Sequence, residues 1–102
     1  MPVSAHTARR RPTITCRVRV VLRRAHVDPY GYPTRAALMH VWSALAGTPS
    51  GACVVLDIGP ARHPDFPLLQ MVLAHVDGDL SIEGGDPFAL REWRDAATEM
   101  NA

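Results

Sequence analysis

Carboxylates and imidazoles recur where the apolar segments of this chain end: His26 with Asp28, Asp57, His63 with Asp65, and Glu83 with Asp86. Gathered on one rim, such groups can hold a divalent cation or supply a general acid and base. Local roles account for several of them. Asp65 and Asp86 each precede a proline-containing helix start and read as N-caps, Asp28 stands before Pro29 as a turn residue, and His63 lies in a loop of no fixed direction. His26, Asp57 and Glu83 remain as the acid/base or metal alternative. No HExxH, glycine-rich phosphate loop, nucleophile elbow or CxxC accompanies them, so no catalytic residue, metal ligand or cofactor is assigned.

A second kind of chemistry is contact. Tyr30 and Tyr32 lie between Pro29 and Pro33, and Phe66 follows Asp65 at a helix start. Stiff amphipathic rings on loops are good anchors for a protein partner. The candidate partner-binding set is therefore Tyr30, Tyr32, His63, Asp65 and Phe66, with Asp57 beneath them.

To position either set, the chain needs strands that end on a common edge. The run Cys53–Val54–Val55–Leu56–Asp57–Ile58 is almost wholly apolar and flanked by glycines, which predicts a central strand covered on both faces of a parallel sheet. Thr13 to Arg24 alternates: Ile14, Cys16, Val18, Val20 and Leu22 point inward, and an arginine stripe points outward. Leu80 and Ile82 alternate with Ser81 and Glu83 to give a short third strand. Helices are predicted from Thr34 to about Ala46, from Asp65 to about Gly78, and from Asp86 onward. The first is expected to bury Leu38, Val41, Trp42 and Leu45 against the sheet and to turn His40 to solvent. The last is expected to pack through Leu90, Trp93, Ala97 and Met100. Single helices between strands require parallel pairing and right-handed crossovers. The predicted fold is a small α/β sandwich of order β-α-β-α-β-α: one domain over residues 13–102, preceded by a flexible basic arm, residues 1–12.

Composition narrows the setting. The chain has 102 residues, enough for one core, and no apolar run approaches a membrane span. Without a secretory signal pattern, and with Cys16 and Cys53 expected as buried strand thiols, the expected location is the cytoplasm. All basic residues are arginine, a bias that points to a GC-rich bacterial genome rather than to function. Eight arginines face one aspartate in residues 1–35, whereas three arginines face nine acids in residues 36–102. This polarity suits an acidic partner or self-association. Three arginines in the arm without an interleaved aromatic make a poor nucleic-acid motif, so nucleic-acid binding ranks behind the other readings.

Three stretches together resemble a STAS domain, the fold of the anti-sigma-factor antagonists. They are Val20–Val21–Leu22 through Ala25–His26–Val27–Asp28 to Arg35–Ala36–Ala37–Leu38; Val54–Val55–Leu56–Asp57–Ile58 followed by Asp65; and Leu80–Ser81–Ile82 through Pro87, Leu90 and Trp93. The resemblance implies a non-catalytic regulatory module that binds an anti-sigma-factor-like protein through the loop at the start of its second helix. In that family a serine or threonine follows the loop aspartate and is phosphorylated to switch binding. Here Phe66 and Pro67 stand in its place, so the implied module lacks that switch.

Overall fold

β-Branched and aliphatic residues dominate 53–58, and that run forms the middle strand of the structure. The computed structural model describes residues 16–101. Three strands, β1 (Arg17–Val21), β2 (Cys53–Asp57) and β3 (Leu80–Glu83), lie in the order β1-β2-β3 and pair in parallel throughout. Between and after them come α1 (Arg35–Ala46), α2 (Phe66–His75) and α3 (Pro87–Met100), with a 3-10 turn at Arg24–His26. The α/β class and the alternating order expected from the sequence are thus observed. The predicted arm, and the Thr13–Thr15 start of the first strand, lie outside the described residues.

Strand alternation sends Val18, Val20, Leu22, Val54, Leu56, Ile58, Leu80 and Ile82 to one face. There they meet Val41 and Leu45 of α1, Leu68, Leu69 and Val72 of α2, and Ala89, Trp93 and Ala96 of α3 in one core. When each strand is added beside the last, right-handed crossovers put the connecting helices on the same side. Among the described residues the opposite face has no helix, yet the centre of β2 is buried on both faces as expected, with Val54 and Leu56 on one and Val55 on the other. That face is a grid: Arg17, Arg19 and Val21 on β1, then Cys53, Val55 and Asp57 on β2, then Ser81 and Glu83 on β3. Val55, flanked in register by Arg19 and Ser81, is nevertheless buried.

The cysteines are corrected too, Cys53 by this parity and Cys16 by lying outside the strand. Cys53 lies on the helix-free face, half-buried with its thiol 3.9 Å from the Asp79 carboxylate, and Cys16 is exposed ahead of β1. Trp42 is corrected as well: it is 49% exposed on the outside of α1 and meets the His75 ring edge-on, because Ala37, Val41 and Leu45 already fill the stripe facing the sheet. His40 is half-buried and stacks on His26, not turned to solvent. In α3, Trp93 is fully buried, flanked by Ala89 and Ala96, while Leu90, Ala97 and Met100 pack at the margin.

Two helix starts follow the expected chemistry. The Asp65 carboxylate accepts from the Leu68 amide at 3.0 Å, and Asp86 accepts from Phe88 and Ala89 at 3.1 and 3.2 Å. Each such cap stabilises its helix by about 1 kcal/mol. Thr34 departs from that pattern, since its hydroxyl donates to the His26 carbonyl instead of capping α1.

Candidate functional site

All three strands run the same way, so their trailing loops share one rim, and hydrogen bonds tie those loops together. The Leu22 amide donates to the Asp57 carbonyl at 2.8 Å and the Ile58 amide to the Glu83 carbonyl at 3.0 Å, which extends the pairing past the strand ends. In the first loop, Asp28 Oδ1 accepts from the amides of Tyr30 (2.8 Å) and Tyr32 (3.0 Å), and the Tyr32 carbonyl accepts from the Asp28 amide. This is an aspartate turn closing on itself. The Gly31 carbonyl then accepts from the Arg62 and His63 amides of the second loop, at 2.8 and 3.2 Å. His63 stacks on Tyr32 with ring centroids 4.2 Å apart. Of the partner-binding candidates, Tyr30, Tyr32 and His63 are thus brought together, and Asp65 and Phe66 follow His63 along the same rim.

The rim is aromatic toward solvent. Tyr30 is 76% exposed, Tyr32 and Phe66 about half, and Phe88, in the first turn of α3, 77%. Sequence reasoning missed Phe88. It stands just after the Asp86–Pro87 start signature and off the stripe of Trp93, and an apolar residue at such a helix start is itself the signal.

Asp57 and Glu83 take a different direction. Both lie on the helix-free face, where Arg19 joins them: its Nη2 is 2.7 Å from Asp57 Oδ2 and its Nη1 is 3.5 Å from Glu83 Oε1. Asp57 Oδ1 also accepts from the Gly59 amide at 2.9 Å, and the Ser81 hydroxyl donates to Glu83 at 2.9 Å. Gly84 (φ +81°) passes so close that a Cβ there would fall on Asp57 Oδ1. Asp57 therefore supports the rim from below as a structural tie.

His26 is separated from these acids. It lies on the helix side, stacked on His40 with centroids 4.5 Å apart, and its Nδ1 accepts from the Arg23 amide at 2.9 Å. Its pKa is held below the ordinary 6.5 by desolvation, then by the neighbouring His40 and Arg23. The structure thus pairs Asp57 with Glu83 but does not bring His26 to them. Among the described residues, no group of three His, Cys, Asp or Glu side chains is placed to hold a metal ion.

Among the described residues, fold and rim define an α/β domain with its helices on one side of the sheet and aromatic loops at the sheet's trailing edge. No protein-family model, curated protein or solved structure matches the chain. Among the described residues no helix is long and apolar enough to cross a membrane.

Proposed function

We propose that the chain is a non-catalytic protein-interaction module that docks a protein partner on its aromatic rim. The observation that carries this reading is that Tyr30, Tyr32, Phe66 and Phe88 are all exposed and all stand in loops or first helical turns that follow the strand ends. Large apolar rings gain free energy when a partner removes them from water, at roughly 25 cal/mol per Å². Rings on loops already tied by hydrogen bonds lose little further freedom on binding. His63 contributes by bracing Tyr32, and Asp65 by fixing the start of α2 beneath Phe66.

The resemblance to anti-sigma-factor antagonists supports a regulatory role with an anti-sigma-factor-like partner, in the bacterial cytoplasm. Phe66 and Pro67 carry no hydroxyl, so docking at this helix start is constitutive with respect to phosphorylation there. The catalytic alternative has no comparable support, since Asp57 and Glu83 are bonded to Arg19 and His26 to Arg23.

The test compares the wild-type chain with the triple variant Tyr30→Ala, Tyr32→Ala, Phe66→Ala, first in affinity capture and then in calorimetry with the purified captured protein. These side chains are half-exposed or more, so the variant should stay folded with a modestly lowered melting temperature and lose binding at least a hundredfold. Undiminished affinity in the triple variant overturns the reading.

A further inference from the structure

Beside the tyrosines, the first and second rim loops enclose a cleft of about 390 Å³ whose wall includes Arg24, Asp28, Gly31, Pro60 and Arg62. We infer that this cleft is an oxyanion subsite of the docking rim, taking a carboxylate or phosphoryl group on the partner's docking segment; the inference rests on the rim reading above.

Arg62 is fixed from two sides. Its amide donates to the Gly31 carbonyl at 2.8 Å, and its aliphatic stem lies on Gly31 so closely that a Cβ there would come within 2.5 Å of Arg62 Cγ. Gly31 also has φ +91°, a conformation that favours glycine. The guanidinium is therefore delivered to the cleft on a seated stem, and its planar fork suits the two oxygens of a carboxylate or phosphoryl group. Arg24 enters from the 3-10 turn on the other side. Among the described residues, ion pairs are formed by Arg19 alone, so neither cleft arginine has an acid partner.

The aspartates of the rim are engaged by nearby backbone. Asp28, Asp57, Asp65 and Asp86 each accept backbone amides. Among the described residues, Arg23, Arg24, Arg35 and Arg62 on this side of the rim form no ion pair with any of these acids. Asp28 also lines the cleft, so two guanidinium groups face one carboxylate and the lining carries a net charge of +1, which matches a single oxyanion rather than a continuous polyanion. An acidic or phosphorylated peptide segment fits this arrangement better than a nucleic-acid backbone.

The experiment is an NMR titration of the ¹⁵N-labelled full chain with three probes: sodium acetate, inorganic phosphate and a single-stranded oligonucleotide. Saturable shifts at Arg24, Gly31 and Arg62 are expected with acetate or phosphate. Replacing both arginines (Arg24→Gln, Arg62→Gln) should weaken that binding at least tenfold without changing the fold, because both side chains are exposed. Tighter phosphate binding identifies a phosphoryl source, and equal binding a carboxylate. No saturable shift with either anion, or shifts unchanged in the double variant, overturns the inference. So does preferred binding of the oligonucleotide at these residues. If the anions fail while the triple aromatic variant still loses its partner, the cleft assignment falls and the rim reading stands. If the anions bind while that variant keeps its partner, the rim reading falls and takes the partner assignment with it.

Discussion

Removing Asp57 should cost stability in two separable parts and leave the aromatic rim intact. Asp57 Oδ1 satisfies the Gly59 amide, a bond worth about 1 kcal/mol, while Oδ2 meets Arg19. The Arg19 side chain is 53% exposed, which limits that ion pair to roughly 0.2–1 kcal/mol. Asp57→Ala loses both and should cost about 1.5–2 kcal/mol. Asp57→Asn keeps an oxygen for Gly59 and loses only the charge, for about 0.5 kcal/mol. Urea denaturation at constant m reads this directly: with m near 1 kcal/mol/M, the alanine variant's midpoint should fall by roughly 1.5–2 M and the asparagine variant's by about 0.5 M. In an Arg19→Met background the asparagine penalty should vanish and about 1 kcal/mol of the alanine penalty should remain. Equal penalties for Asn and Ala, or lost partner binding at unchanged stability, would refute the assignment of Asp57 as a tie on the helix-free face.

Two further predictions concern other elements. Trp93→Ala should cost about 3–5 kcal/mol, against under about 1 kcal/mol for Trp42→Ala, because Trp93 is fully buried and Trp42 half-exposed; denaturation of each variant checks this. The buried Trp93 indole N–H has no hydrogen-bond partner, so Trp93→Phe should be far milder than Trp93→Ala and should leave only the acrylamide-quenchable emission of Trp42. The third prediction is a pH effect. His26 titrates below 6.5 in the folded chain, so the unfolded chain takes up that proton first. Its contribution to stability is complete above 6.5 and is lost as the pH falls through the lower folded value. An NMR titration should find the His26 pKa depressed and find it moved back toward 6.5 by His40→Gln; a His26 value at or above 6.5 in the wild type would contradict the stack.

Legibility in the sequence followed the range of the forces involved. Asp65 and Asp86 reveal their helix starts because a cap depends on amides two or three residues away, and both caps are present. The parallel order followed from single helices between strands, a constraint of connectivity. Which face of β2 the helices cover is a property of the whole chain, and an apolar residue such as Val55 gives the same local signal beneath a helix or between Arg19 and Ser81. Trp42 and His40 depart from the sequence expectation because helical periodicity fixes an apolar arc without showing which residue at its edge meets α2 or the 3-10 turn. For the rim, Tyr30 and Tyr32 were readable from their prolines. The Arg62 seat on Gly31 joins residues from two loops and left no local trace.

The helix-free grid of the sheet has a consequence for how the chain tolerates change. Along each strand, every second side chain belongs to the common core while its neighbours face away from it. A saturation library over 17–21, 53–57 and 80–83 should therefore yield a chequerboard: broad acceptance at Arg17 and Ser81, near-total rejection of polar residues at Val20, Leu56 and Ile82. Two squares should break the pattern on the permissive colour, Val55 through its burial and Asp57 through its bond to Gly59.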